Sequence, residues 1–533
     1  MKNLKQLVSC LLAMAMILGT VAFAEPATED IGDGFFRYSE PVTISVGKGA
    51  SPANWTNAED SEESNAATRK LLEKFNIDIQ YDWISDDYYT KLAMSITSGD
   101  IPDVFLVDLD HYSLYKELVD NDMLEDMSAV YEEYASDYVR ALYETYDNKP
   151  LDALKDENGA MYGLPQGMYF YNDVHYLWLR QDWLNELGLE VPKTMEELEK
   201  VLIEFRDKKG SKGLLLSQNV TGAYGSLSSL AAAYGVYPGA WIENEAGEVM
   251  YGSLDTRMKD LLSILQRWYS EGLINPEFMT TDDDTNNALF AAGESGSLIG
   301  SAWASSGIAP IMNNIPEAEV LVTGCPVDAN GNYNILMPPT WAQVLCVRKG
   351  YEHPEAVMEV VNYVADKFGE FNEEVYSAYN VEGIGFSSYY PLGAFNLVAA
   401  DEINGTYNGI VEYQQTGELS KPYELDWLIY LVDAYLKGEP YDAEPSSVFW
   451  YTYAYYYCME IATADNVVQK DQAFSAKTES MSDFWSNLQT LESTCIQNII
   501  IGEQDVDSYD GFIQSWKSEG GDLITEEVHD LLG

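Results

Sequence analysis

The sequence predicts an α/β protein built from β-α-β units. Three observations carry the prediction. Strand-like and helix-like periods alternate from Pro41 onward, turn residues separate them, and the short run at residues 104–107 is apolar throughout. At 533 residues, with 46% hydrophobic and 13% aromatic side chains, the chain can bury more than one core and still present rings to a surface.

The elements follow in order. Residues 41–47 (PVTISVG) alternate as a strand, and residues 48–60 form a Gly/Pro/Asn loop holding Trp55. Residues 67–76 have helical spacing and stop at Asn76, and IDIQYDWI (77–84) alternates again as a second strand. Residues 86–97 read as an amphipathic helix with acids in its first turn, where the helix dipole favours them. Ser98-Gly99-Asp100 ends it, with Gly99 free to take a left-handed cap, and Pro102 stops a restart. VFLV (104–107) then reads as a parallel-sheet strand buried on both faces. Its carboxyl end brings out Asp108, Asp110, His111 and Tyr112, and ligands of open α/β sheets collect at such ends.

The alternation recurs after Tyr162-Gly163-Leu164-Pro165. YLWLR (176–180) is a strand, and QDWLNELGL (181–189) a helix ending at Gly188. Thr194 and Glu197 form a capping box for the next helix. β-α-β units are thus expected on both sides of the Tyr-Gly-Leu-Pro segment, consistent with two sheets.

Residues 1–24 read as a secretory signal: Lys2 and Lys5, an apolar run, then Ala22-Phe23-Ala24 before Glu25. Leu7-Val8-Ser9-Cys10 imitates a lipoprotein box but precedes most of the apolar region, so Cys10 is expected to leave with the signal. No later run is long enough to span a bilayer. The expectation is a secreted, monomeric protein at the outer face of the cytoplasmic membrane or in the cell wall, or in the periplasm of a Gram-negative cell.

The formal charge of −57 excludes nucleic acid and anionic lipid as partners held by bulk electrostatics. The histidines His111, His175, His353 and His529 form no metal-type cluster, and no nucleophile elbow, phosphate loop or dinucleotide fingerprint is present. With 87 acids, paired carboxylates carry no information about glycosidic chemistry. No catalytic residue, metal or cofactor is expected. Cys325, Cys346, Cys458 and Cys495 permit two disulfides, yet Cys325 and Cys346 sit in apolar runs where a free thiol packs as a small hydrophobe.

Several blocks together carry a resemblance. SGDIPDVF (98–105), YGLP (162–165), LRQDWLNELGL (179–189), PKTMEEL (192–198), FAAGESGSLIGSAW (290–303), EVLVTGCPVDANGNY (319–333) and residues 342–364 and 499–528 stand in this order. The chain resembles family 1 extracellular solute-binding proteins, the receptors of carbohydrate-importing ABC transporters, in their long subgroup.

The resemblance implies a two-lobed, periplasmic-binding-protein-like fold, with solute caught in a cleft between lobes joined by crossovers near residues 167–178 and 334–341. Residues 25–166 would begin the N-lobe, 167–334 the C-lobe, and 335–399 would return to the N-lobe. Residues 400–533 form a helical region left unassigned to a lobe. The calcium-type loop of many long relatives reads RDKKGSKGLLLSQ here (206–218), too poor in oxygen donors for a hard cation.

A sugar offers an apolar ring face and a rim of hydroxyls, so its receptors stack aromatics and supply hydrogen-bonding side chains. Candidate contacts are Trp55, Asp108, Asp110, His111, Tyr112, Gln166, Tyr169, Trp303 and Trp341. By resemblance Trp303 stacks on a sugar; the competing role is a core or hinge tryptophan. Trp178, Arg180 and Trp183 are assigned to structure, and the tyrosine run at 451–459 to helix packing. The expected function is capture of an oligosaccharide and its delivery to the permease subunits of an ABC importer. The rivals are a receptor for peptides or another polar solute, and an exported glycosidase.

Overall fold

The computed structural model describes residues 28–532 except 33, 51–60, 62, 148, 157, 169–170, 223–224, 367–391, 398–399 and 421–424. Fourteen strands are present among the described residues. They are β1 (Thr28–Gly32), β2 (Phe35–Tyr38), β3 (Val42–Gly49), β4 (Ile77–Ser85), β5 (Val104–Asp108), β6 (Leu164–Gly167) and β7 (His175–Arg180). Then follow β8 (Trp241–Glu243), β9 (Val249–Tyr251), β10 (Ser297–Ser301), β11 (Val320–Gly324), β12 (Tyr333–Met337), β13 (Trp341–Val347) and β14 (Val467–Asp471). The largest sheet runs β4-β3-β5-β13-β6, and a second runs β10-β7-β11.

Two compact units divide the chain. One comprises the residues up to Phe105, Ala129–Ser136 and Gly350–Asn396; the other Leu106–Ser128, Asp137–Lys349 and the chain from Leu397 onward. This division falls elsewhere than the expected boundaries at residues 166 and 334. β6 pairs with β13, joining residues 164–167 to the segment expected to return at 335–399. The helical tail, left unassigned from sequence, belongs to the second unit.

In the first unit β3 pairs in parallel with β4, Val42 opposite Ile77, and with the start of β5, Val46 opposite Val104. Helix Ala66–Phe75 begins at Asn65, whose side chain accepts from the N–H of Ala67 and Thr68, and ends at Asn76, left-handed at φ 60°. Helix Tyr88–Ser98 starts later than expected. Asp86 and Asp87 precede it, and Asp87 caps it by accepting from Thr90 N–H at 3.3 Å. Gly99 takes the left-handed cap at φ 75°. Asp103 then joins the following strand to β3 by two reciprocal 3.0 Å bonds with Ser45. In β5, Val104, Phe105 and Val107 are buried, as a central strand requires.

The second unit corrects one expectation. After the Tyr-Gly-Leu-Pro segment the main sheet is antiparallel: β10 and β11 both run opposite to β7. Helix Gln181–Leu187 after β7 leads into helix Met195–Glu204 and not into a neighbouring strand. Parallel pairing survives as isolated bridges, Leu214 with Ile274 and Leu215 with Leu298, and between β12 and β14. The expected capping box is also half-formed. Thr194 accepts from Glu197 N–H at 3.3 Å, but the Glu197 carboxylate accepts from Lys193 N–H at 2.8 Å, one residue beyond the cap.

Cys325, Cys346, Cys458 and Cys495 are all free thiols and all buried. Glu492, on helix Glu479–Ile500, is 1% exposed and accepts from the hydroxyls of Tyr251, at 2.7 Å, and Ser253. Burial pushes its carboxyl up to about 7 from 4.5, against the two hydroxyls, which pull it down. Stability contributed by a raised acid is fully present below the unfolded value and is lost as pH rises through the folded one. Unfolding free energy should therefore fall between about pH 4.5 and 7, with Glu492 contributing up to about 1.4 kcal/mol per pH unit. Denaturant melts across that range should show a shallower fall for Glu492→Gln; an unchanged slope would rule Glu492 out as a source.

Candidate functional site

The described candidates among those named from sequence fall into two clusters, both in the second unit. The first sits at the carboxyl end of β5. Asp108 caps the short turn Leu109–His111, accepting from His111 N–H at 3.0 Å and meeting its Nδ1 at 2.7 Å. Asp110 faces Lys477 at 3.5 Å, while Lys477 N–H donates to the Leu109 carbonyl at 2.9 Å. Tyr112 opens helix Tyr112–Asp120, stacks on Tyr115 at 5.6 Å and 21°, and meets Trp341 edge-on at 5.8 Å. Tyr112 and Lys477 also line a hollow of about 670 Å³.

Trp341 opens β13 opposite Gly167, and two residues on Gln343 donates to the buried Gln166 side chain. Gly163 sets this pairing. Its φ of +154° is open to glycine, and a Cβ there would lie 2.5 Å from Val344 Cγ1 and 2.6 Å from the Leu345 carbonyl oxygen. Tyr112, Trp341 and Gln166 are thus assembled by strands and a helix start. His111 engages Asp108, and Asp110 engages Lys477.

The second cluster surrounds Trp303, directly after β10 at the start of helix Ala304–Ile308. The half-buried indole donates its N–H to Asn172 Oδ1 at 2.9 Å. Tyr455 braces it edge-on at 5.9 Å and Trp450 lies at 6.3 Å. Trp303 lines a hollow of about 400 Å³ with Asp282, Asp283, Asp284, Asn287, Ser301 and Ser306. Burial pushes the Asp283 carboxyl up to about 6; Asp282 and Asp284 add to this, and a bond from Ser217 opposes it. Among the described lining residues no side chain is basic. The wall therefore offers an aromatic ring, amide and hydroxyl groups, and carboxylate acceptors. That suits hydroxyl-rich, uncharged solutes and repels anions.

Trp55 and Tyr169 lie outside the described residues. Trp178 is fully buried, its indole N–H donating to the Gly300 carbonyl at 3.2 Å. Arg180, 4% exposed, forks onto Asp182 at 2.8 and 2.6 Å and lies 4.7 Å over the Trp183 ring. This unit is structural. In the 206–218 segment Lys209 pairs with Glu186 and Lys212 with Glu294 at 2.5 Å.

Four contributors escaped the sequence reading. Asn172 offered only its place in the expected crossover at 167–178, and Gln343 only its place in a strand. Tyr455 belongs to the tyrosine run at 451–459 assigned to helix packing, and Trp450 directly precedes that run. Packing does hold for Tyr453 and Tyr455, both buried in a π-helical turn, Tyr453–Tyr457, yet the Tyr455 ring also faces Trp303.

Parallel strands ending in a polar and aromatic loop, with a second aromatic cluster beside a hollow, define a solute-binding architecture on an α/β scaffold. Residues 58–367, more than half of the chain, match the family described as bacterial extracellular solute-binding protein, and the chain belongs to that family. Lipoprotein LipO of Bacillus subtilis is 20% identical over 491 residues, covering 89% of this chain and 90% of the relative. The polygalacturonan/rhamnogalacturonan-binding protein YtcQ of the same organism is 23% identical over 488 residues, covering 86% and 87%. Among solved structures, an HMO-binding, ABC-transporter-associated solute-binding protein from Bifidobacterium longum infantis has a TM-score of 0.61 at 13% identity, covering 93% of this chain and 99% of that one. An EF-hand mutant of the ABC-transporter substrate-binding protein FusA from Streptococcus pneumoniae, in complex with fructo-nystose, has a TM-score of 0.58 at 15% identity, covering 92% and 99%. These structures share the two-lobed fold. Among the described residues no helix is long and apolar enough to cross a membrane.

Proposed function

We propose that the protein captures an uncharged oligosaccharide outside the cytoplasm and hands it to an ABC permease without altering it chemically. The observation that carries the reading is Trp303. Its indole is pinned through its N–H to Asn172 and braced by Tyr455, beside a hollow whose polar wall accepts hydroxyl hydrogens and holds no described cation. A pinned aromatic loses little freedom when a sugar ring stacks on it, so more of the contact appears as affinity. Tyr112, Gln166 and Trp341 are proposed as further solute contacts, with Asp108, Asp110 and His111 shaping the loop beside them.

The family supports an extracellular receptor, and relatives named for fructooligosaccharide and for polygalacturonan/rhamnogalacturonan binding support a carbohydrate. Calorimetric titration with neutral and uronate oligosaccharides tests the reading. Binding of neutral chains is expected, with the uronates weaker. Binding of peptides alone would overturn it, and new reducing ends after prolonged incubation with a bound sugar would establish a glycosidase instead.

A further inference from the structure

A continuous run of ring contacts leads from Trp303 to the surface of the second unit. Trp303 meets Trp450 at 6.3 Å, Trp450 lies 3.8 Å from Tyr451, and Tyr451 meets Trp427 edge-on at 5.4 Å. Three elements supply them: the N-cap of helix Ala304–Ile308, helix Pro445–Thr452 and helix Asp426–Lys437. Exposure is greatest at the outer end of the row. Trp303, Trp450 and Tyr451 are half-buried, and Trp427 is 49% exposed.

A second exposed ring stands on the same helix as Trp427. Tyr430, three residues on and on the same face of the helix, is 45% exposed and meets Tyr413 edge-on at 5.0 Å. Helical rise sets Trp427 and Tyr430 about 4.5 Å apart along the axis. Tryptophan is highly buried on average, and nothing in helix propensity favours it at a wet position. Trp427, joined through ring contacts to Trp303, and Tyr430 thus give one helix face two exposed aromatic rings.

We propose that this row extends the Trp303 subsite and carries the outer rings of a linear, uncharged oligosaccharide, whose far end leaves the protein at Trp427. Successive sugar rings each present an apolar face, and a row of aromatics offers each one a surface. The chain's formal charge of −57 disfavours a polyanion at such a surface. Affinity should then rise with the number of sugar rings until Trp427 is covered and level off afterwards. The inference rests on the oligosaccharide reading and adds length selection to it.

The test is calorimetric titration of the full chain with neutral oligosaccharide ladders, disaccharide to hexasaccharide, of malto-, xylo- and fructo- type. Wild-type protein should bind long members more tightly than short ones, and Trp427→Ala should cut the ratio of long-chain to short-chain affinity roughly tenfold. Tyr430→Ala gives an independent reading of the same ratio should the first variant melt early. A ratio unchanged in both variants overturns the inference while leaving oligosaccharide binding intact. An equal loss at every length overturns it too, because Trp427 would then only support packing around Trp303. Wild-type protein that binds none of the ladders removes the oligosaccharide reading and this inference with it.

Discussion

Trp303→Ala is expected to weaken solute binding by roughly 30-fold, from a hot-spot loss of about 2 kcal/mol at about 1.4 kcal/mol per tenfold. The indole is held in place before any solute arrives, by its bond to Asn172 and the edge of Tyr455. Its removal therefore deletes a ready surface and leaves Asn172 Oδ1 without that donor. A tryptophan serving only the core would behave differently. Truncation would then lower unfolding stability by about 3–5 kcal/mol, and the surviving folded protein would bind as before. Calorimetric titration beside a melt without solute separates the two, and an unchanged dissociation constant with a depressed melting temperature would mean packing. Asn172→Ala should cost less, because it loosens the ring without removing it.

Gly163→Ala should destabilise the protein by about 3 kcal/mol. A side chain at a φ of +154° is strained, and the new Cβ would meet the Leu345 carbonyl oxygen at 2.6 Å, backbone that cannot swing aside. Strained backbone and overpacking each cost on the order of 1–3 kcal/mol. The register of β6 against β13 depends on this approach, and with it the neighbourhood of Gln166, Gln343 and Trp341. Denaturant unfolding measures the effect; a loss under about 0.5 kcal/mol, the usual surface range, would show that the two strands tolerate displacement.

What the sequence disclosed was what is encoded locally. The end of helix Ala66–Phe75 at Asn76, the left-handed cap at Gly99 and the apolar β5 depend on residues within a few positions of each other. Strand direction in the second unit does not. β7 finds its partners in β10 and β11, over a hundred residues away, and no period in β7 says which way they run. The site divides the same way. Trp303 was marked by its segment and Tyr112 by its strand end, but Asn172 touches Trp303 from 131 residues away. No local pattern distinguishes it from any other asparagine. Tyr455 stayed hidden because one ring both packs a helix and braces a neighbour, and spacing reports only the first.

The four buried thiols have a consequence for how the protein can be watched. Burial pushes Cys325 up to about 12 and Cys495 up to about 11, and raises Cys346 and Cys458 as well, so little reactive thiolate exists at neutral pH. A thiol-reactive dye can reach them only when the surrounding structure opens. Cys346 lies in β13 and Cys458 opens helix Cys458–Ala462 behind the aromatic run, so each reports on a different region. The unmodified chain thus carries its own set of chemical clocks: the order in which the cysteines take up label records the order in which its parts come apart.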